Sequence, residues 1–335
     1  MKVSMKVSVL GTGSWGTALA QVLNDNGHDV LLWGIDQGEV DDINLNHHNS
    51  KYFETEISHG LRAVTDLNEV RDSDILLAAV PTMALESVLQ KVTDVMDHPA
   101  IIINVAKGFH PVTHDRLSTV IAKTVPEEKR KAIVSLIGPS HAEEVILRKV
   151  TAVNAVSDDE EAAILIQKTF SNHYFRVYRN TDVIGAEVGV AIKNVMAIAS
   201  GILEGIGQGD NAKAALMTRG LAEMTRFGTA LGGKKETYLG LDGVGDLIVT
   251  CTSRHSRNFM AGYQIGLDGG AEKFLKENKK TVEGILACRV VYEEAKRRGI
   301  EMPITEKVYA VLYEGEKPQD AIMELMARDL KSEVQ

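Results

Sequence analysis

Lys6-Val7-Ser8-Val9-Leu10-Gly11-Thr12-Gly13-Ser14-Trp15-Gly16-Thr17-Ala18-Leu19-Ala20 is the stretch that decides the fold. Its first five residues read as a short buried strand, and Ser14–Asn26 reads as an amphipathic helix. Between them stands G-x-G-x-x-G. Gly11 permits the tight turn, Gly13 lets the backbone approach a pyrophosphate, and Gly16 lets helix pack on strand. The helix N-terminus adds amides and a favourable dipole for the anion. Such a glycine pattern is common by itself; its place between strand and helix favours a dinucleotide site over a glycine-rich turn that binds nothing.

Outward from this unit, short β-rich runs alternate with helical ones. Strands are expected at Asp29–Trp33, Asp74–Ala79, Ala100–Val105, Ala132–Ile137, Val150–Val156 and Tyr174–Tyr178. Helices are expected at Met83–Met96, His114–Thr124 and Asp158–Ser171. Most strand runs are continuously apolar, as in a sheet covered on both faces. Strand–helix alternation gives a mostly parallel sheet with right-handed crossovers. After Ile184 no convincing strand follows, only helix-compatible stretches rich in Ala, Leu, Met and Glu. The expected fold is therefore a Rossmann-type α/β domain over 1–183 and an all-α domain over 184–335, without a Pro/Ser linker between them.

The bulk properties of the 335 residues narrow the functional classes. A net charge of −9 argues against nonspecific nucleic-acid binding. Two cysteines, Cys251 and Cys288, cannot make a disulfide framework and suit a reducing cytosol. The longest apolar runs, such as Ile75–Val80, fall well short of the roughly 20 residues of a membrane span. The N-terminus has no signal-peptide core, and Met1–Ser4 is repeated as Met5–Ser8, which offers Met5 as an alternative start. No metal site is expected.

Five further places carry candidate chemistry. Asp36 follows the second strand, where an acid bonds the ribose 2′-OH of NAD. It equally suits the N-cap of a helix starting near Gln37. Lys107 follows the strand ending at Val105, where ligands of open α/β sheets bind; the alternative is an ordinary exposed lysine. Gly138, Ser140 and the helix start at Ala142 form a candidate anion contact, although Pro139, Glu143 and Glu144 also suit a plain helix start.

Lys193 is the only charged residue between Val188 and Leu203. A helix so apolar must be buried, and desolvation can turn its lysine into an acid–base group near neutral pH. Gly189 and Ala197 are expected to leave room for a ligand beside it. A structural ion pair or a snorkelling lysine is the other reading. Asp246, in Gly243-Val244-Gly245-Asp246, is the candidate partner. In the polar run 250–258, Arg257 can grip a phosphate, with Ser256 and Asn258 as neutral donors; a solvated basic loop is the alternative. His141 and His255 rank below Lys193 as catalytic candidates, and Cys251 reads as a packed thiol.

Taken together, GTGSWGTALA (11–20), VPT (80–82), AKG (106–108), GPSHAEEV (138–145), GVAIKNVMAIASGI (189–202), GDNAKAAL (209–216), TRGLAEM (218–224), GVGDLIVTCTSRHSRN (243–258) and VEG (282–284) make the chain resemble bacterial NAD(P)-dependent glycerol-3-phosphate dehydrogenases along essentially its whole length. The resemblance implies that Lys193 accepts the C2 hydroxyl proton, with Asp246 beside it. Lys107, Gly138, Ser140, Asp246, Ser256, Arg257 and Asn258 would hold glycerol phosphate. Ser14, Trp15, Lys107, Ala142, Arg257, Thr281 and Glu283 would contact NAD or NADP. Two positions depart from the pattern. Ile35-Asp36 stands where many relatives carry His or Arg, which leans the cofactor toward NAD. Thr281 replaces a usual apolar residue, and a backbone contact survives that change. The same resemblance implies a cytoplasmic enzyme supplying phospholipid synthesis; a homodimer is one assembly open to it, and the sequence does not give the oligomeric state. The rival readings are a two-domain 3-hydroxy acid dehydrogenase and a catalytically inactive dinucleotide sensor.

Overall fold

The computed structural model describes residues 4–279, 281–330 and 332–333. Met1–Val3, most of the first copy of the terminal repeat, lies outside them. Eight strands form one sheet: β1 (Lys6–Leu10), β2 (Asp29–Trp33), β3 (Arg62–Val64), β4 (Ile75–Ala78), β5 (Ala100–Asn104), β6 (Arg130–Ile137), β7 (Thr151–Val156) and β8 (Phe175–Asn180). Their order is β3-β2-β1-β4-β5-β6-β7-β8. All neighbours pair in parallel except β6 with β7, which run antiparallel from Ser135↔Val156 to Ile137↔Asn154. The expected strands are all present, within a few residues of their expected ends.

β3 was not foreseen. Three residues with an exposed arginine carry too little apolar pattern to stand out, and pairing with Leu31–Trp33 makes them a strand. The helix expected from His114 begins instead at Leu117. His114 adopts a left-handed backbone (φ 59°), and Phe109 bridges to Arg116, so the chain folds back before it turns helical.

Between the strands run α1 (Ser14–Asp25), α2 (Gln37–Asp41), α3 (Thr82–Val95), α4 (Leu117–Thr124), α5 (Ala142–Val145) and α6 (Glu160–Phe170). They cover both faces of the sheet. One apolar cluster joins Leu19, Val22 and Leu23 of α1 to Val9, Leu32 and Leu77, and another joins Leu85 and Leu89 of α3 to Leu10, Leu76 and Ile102. This two-sided cover is why the strand sequences lack alternation.

Beyond β8, the described residues hold helices without further strands: α7 (Val183–Gly205), α8 (Asp210–Ala230), α9 (Asp246–Thr252), α10 (Arg257–Asp268), α11 (Glu272–Glu277), α12 (Glu283–Arg298), α13 (Pro303–Tyr309) and α14 (Pro318–Met326). α7 is their axle. Asp182 caps it through the Gly185 amide at 2.9 Å, and every residue from Gly185 to Leu203 is buried. By length and composition α7 could cross a membrane, but here it is the packed centre of the helical half. Each large aliphatic side chain so buried contributes roughly 1.5–3 kcal/mol. α10 lies against α7 almost backbone to backbone: a Cβ on Gly262 would fall 2.0 Å from the Ile198 carbonyl oxygen. That contact fixes where the start of α10, and with it Arg257, meets the middle of α7.

Candidate active site

The glycine loop leaves the carboxyl end of β1 in the expected form. Gly11 has φ +121°, and a Cβ there would lie 2.6 Å from the Ala79 carbonyl oxygen. A Cβ on Gly16 would meet the Gly11 carbonyl at 2.2 Å, so the third glycine is the helix–turn contact. Around Gly13 a Cβ would meet nothing within 4 Å. The loop therefore closes tightly at its first and third glycines and stays open at the second, ahead of the α1 N-terminus. This cradle fits the pyrophosphate of a dinucleotide.

Groups that the sequence reading passed over hold the loop in place. Asn49, fully enclosed, donates from Nδ2 to the Thr12 carbonyl at 2.8 Å and to Thr17 Oγ1 at 2.9 Å. The Thr12 hydroxyl donates to Glu39, whose other carboxylate oxygen takes Lys51. Both partners sit far from the glycines in sequence, and no local spacing signals them. Asp36 takes the cap reading: its Oδ1 accepts from the amides of Gly38 (2.9 Å) and Glu39 (3.4 Å) at the start of α2. Its Oδ2 lies 3.6 Å from Lys51 Nζ, so a carboxylate and an ammonium stand side by side beyond β2.

The second half of the site gathers around one carboxylate. Lys193, at mid-α7, is 2% exposed, and Asp246 is 0% exposed. Lys193 Nζ donates to Asp246 Oδ1 at 2.6 Å and to Thr250 Oγ1 at 2.8 Å. Asp246 and Thr250 are one turn apart on α9, so a single helix face presents both acceptors. Thr250 was missed because Leu247–Val249 reads only as an apolar run until the helix is seen. The snorkelling alternative is excluded by this geometry.

Burial pushes the Lys193 ammonium down to about 8; Asp246 resists that shift, and nearby Lys107 adds to it. Lys107 Nζ, with a side chain 20% exposed, stands 3.6 Å from Asp246 Oδ2, so it is no ordinary surface lysine. The expected room beside Gly189 is absent: a Cβ there would meet the Asp242 carbonyl at 3.0 Å and the Tyr238 ring at 3.3 Å. Tyr238, fully buried, fills that side of the helix.

Gly138 (φ +150°) lets the chain after β6 pass close over Val153, and Ser140 Oγ donates to the Gly138 carbonyl at 3.1 Å. Ala142 opens α5, one short turn. At the start of α10, Ser256 Oγ caps the Phe259 amide at 3.2 Å, and Asn258 Oδ1 accepts from the Gly284 amide at 2.8 Å. These two side chains shape the site more than they project from it. Arg257 is the projecting group, exposed, with Nη1 3.3 Å from the Thr281 carbonyl and Nη2 4.0 Å from Glu283. It is the Thr281 backbone carbonyl, not its side chain, that meets Arg257. Burial raises the Glu283 carboxyl, opposed by Arg257, Lys107 and Lys193.

Family models described as the N-terminus and the C-terminus of NAD-dependent glycerol-3-phosphate dehydrogenase match residues 6–163 and 182–323. The chain belongs to this family. A glycerol-3-phosphate dehydrogenase (NAD(P)+) of Streptococcus uberis is 49% identical over 330 residues, covering 98% of each chain. Its counterpart in Enterococcus faecalis is 48% identical over 333 residues, covering 99% of this chain and 98% of its own. The crystal structure of glycerol-3-phosphate dehydrogenase from Coxiella burnetii superposes with a TM-score of 0.89 at 34% identity, over 97% of this chain and 99% of that one. The resemblance drawn from the motif blocks is thus borne out for the family and the fold.

Another buried acid was not foreseen from the sequence. Glu187 lies six residues before Lys193 on α7, just outside the window that isolated the lysine. It accepts from the Ser118 amide (3.1 Å), Ser118 Oγ (2.7 Å), Ser135 Oγ (3.0 Å) and Arg116 (3.1 Å). The helix carrying Lys193 is thereby bolted to α4 and β6.

Proposed function

We propose that Lys193 is the proton donor and acceptor of an NAD(P)-dependent oxidoreductase interconverting sn-glycerol 3-phosphate and dihydroxyacetone phosphate. The observation that carries this reading is a lysine buried in an apolar helix, held by Asp246 and Thr250, with a proton affinity lowered toward neutrality. NAD or NADP, bound on the Gly11–Gly16 cradle beside Ser14 and Trp15, supplies or accepts the hydride.

For ketone reduction, the Lys193 ammonium donates a hydrogen bond to the C2 carbonyl and then its proton. Asp246 keeps Nζ aimed and balances its charge while the site excludes water. Lys107 and Arg257, together with Gly138, Ser140, Ser256 and Asn258, hold the phosphorylated substrate. Lys107, Ala142, Arg257, Thr281 and Glu283 line the cofactor side. Grip on the remote phosphate fixes the carbonyl for reaction, so binding energy lowers the barrier. Residues 1–183 are the dinucleotide domain and 184–335 the substrate domain. A cytoplasmic location, a homodimer, and a supply of glycerol 3-phosphate to phospholipid synthesis belong to the same reading.

The test is loss of reduced-nicotinamide absorbance on adding dihydroxyacetone phosphate, run with NADH and NADPH in wild type and in Lys193→Met. Rapid oxidation by wild type and loss of at least about 100-fold in the variant are expected. Near-normal turnover in Lys193→Met sinks the assignment of the lysine.

A further inference from the structure

Lys193 and its partners raise a problem of access. Each oxidation of the alcohol releases one proton, which must reach solvent, yet Lys193, Asp246 and Thr250 are 2%, 0% and 4% exposed. Lys107 is itself a cation, poorly suited to accept that proton from an ammonium.

We propose that His141 and His255 form the route by which the proton handled at Lys193 exchanges with bulk water. This rests on the reading of Lys193 as the acid–base group. His141 sits between Ser140 and Ala142, half-buried, and its Nε2 is fully enclosed without any protein hydrogen-bond partner. A polar atom so enclosed is costly unless a ligand or water uses it. The centroid of the His141 ring lies 5.7 Å from that of His255, tilted by 52°, so the two imidazoles are neighbours. His255 is exposed, in the turn between α9 and α10. Exposure therefore rises from Lys193 through His141 to His255.

The charges around the ring suit transfer rather than storage. Burial lowers the His141 proton affinity, and Lys107, Lys193 and His255 lower it further; Glu143 alone opposes them. A neutral imidazole accepts a proton from the ammonium, and the neighbouring cations then drive it onward. In the oxidation direction, the substrate O–H bond breaks and an N–H bond forms on Lys193. That N–H breaks as His141 Nε2 gains a proton, directly or across a water. His141 Nδ1 then gives up its proton to His255, and His255 releases it to water. One proton leaves per alcohol oxidised and both rings return to neutral, with His141 now protonated on Nε2; a flip of its imidazole restores an acceptor nitrogen toward Lys193 for the next turnover.

The experiment measures proton release with a pH indicator alongside product formation, in wild type, His141→Ala and His255→Gln. His141→Ala is expected to lose about tenfold or more in kcat, with KM little changed and a larger solvent isotope effect. Imidazole added to the medium is expected to restore its rate. His255→Gln is expected to show a smaller loss in the same direction. An unchanged kcat, an effect confined to KM, or a loss that imidazole does not rescue overturns the relay. Histidine NMR titration of the ligand-free protein supplies a reading independent of turnover: the His141 midpoint is expected to rise in Lys193→Met, and an unmoved midpoint overturns the coupling. If Lys193→Met itself turns over normally, the acid–base reading fails first and takes the relay with it.

Discussion

Lys107 approaches Asp246 through Oδ2, at 3.6 Å, the carboxylate oxygen that Lys193 does not use. One buried acid thus serves two lysines contributed by opposite halves of the chain, and the two lysines repel each other across it. This arrangement sets opposite signs for two substitutions. On the proposed role of Lys193, ketone reduction uses its ammonium form, so the rate should hold below about 8 and fall above it. Asp246→Asn removes the group that raises the lysine's proton affinity, and the falling limb should move to lower pH, with kcat down about 100-fold. Lys107→Met removes a group that lowers it, and the limb should move to higher pH, while substrate binding weakens. pH–rate profiles of the two variants decide the matter; shifts in the same direction would contradict the shared carboxylate.

Arg257→Ala separates grip from chemistry. The side chain is exposed, and among the described residues it meets the Thr281 carbonyl and, at 4.0 Å, Glu283, so the fold does not depend on it. KM for dihydroxyacetone phosphate should rise about tenfold or more, the loss expected for a charge-assisted contact to phosphate. Steady-state kinetics with an unchanged KM would remove Arg257 from the substrate site.

The legible part of this protein is the part written locally. Strand, glycine turn and helix follow one another at 6–25, and Lys193 announces itself because its helix has no other reason to carry a charge. What escaped is tertiary. Glu39 and Asn49 support the glycine loop from positions dozens of residues away, beyond α1 and β2. Thr250 became a lysine partner only once 246–252 was seen as helix. Gly189 looked like room for a ligand because spacing along α7 shows which residues are small, not what packs against them. Tyr238 occupies that space.

Glu187→Ala tests the bolt between α7 and the sheet. Removing the carboxylate strands Ser118, Ser135 and the partly buried Arg116, a loss of roughly 3–5 kcal/mol if it follows other broken buried pairs. Urea unfolding should show it, and kcat should fall with it because Lys193 and Lys107 lose their common frame. A stability change below about 1 kcal/mol would mean that the apolar packing of α7 alone sets its position.

Glu223 makes stability depend on pH. Its carboxylate holds the amides of Ile304 (2.6 Å) and Thr305 (3.2 Å) at the start of α13, yet burial pushes its carboxyl up from 4.5 to about 7. The folded chain thus holds this proton more tightly than the unfolded one. Its stabilising contribution is full below about 4.5 and is lost as pH rises through about 7, a change on the order of 3 kcal/mol. Asp242, also pushed up to about 7 by burial, acts in the same sense. Denaturation at pH 5 and pH 8 should therefore show wild type losing more stability over that interval than Glu223→Gln. An equal loss would place the pH dependence elsewhere.

Asp36 and Lys51 bear on cofactor choice. Asp36 Oδ1 is committed to capping α2, whereas Oδ2 faces the Lys51 ammonium beyond the end of β2. A ribose 2′-OH can donate to the free oxygen of Asp36, and a 2′-phosphate can pair with Lys51 instead. On this reading the pair would admit both dinucleotides, with Asp36 repelling the phosphate. Asp36→Asn preserves an oxygen for the cap but removes the charge, and should raise kcat/KM for NADPH relative to NADH by about tenfold. Lys51→Ala should lower NADPH use by a similar factor and leave NADH nearly unchanged, each factor corresponding to about 1.4 kcal/mol. Parallel assays with both reduced cofactors give the ratios directly. A ratio unmoved by either substitution would leave Asp36 as a helix cap and nothing more.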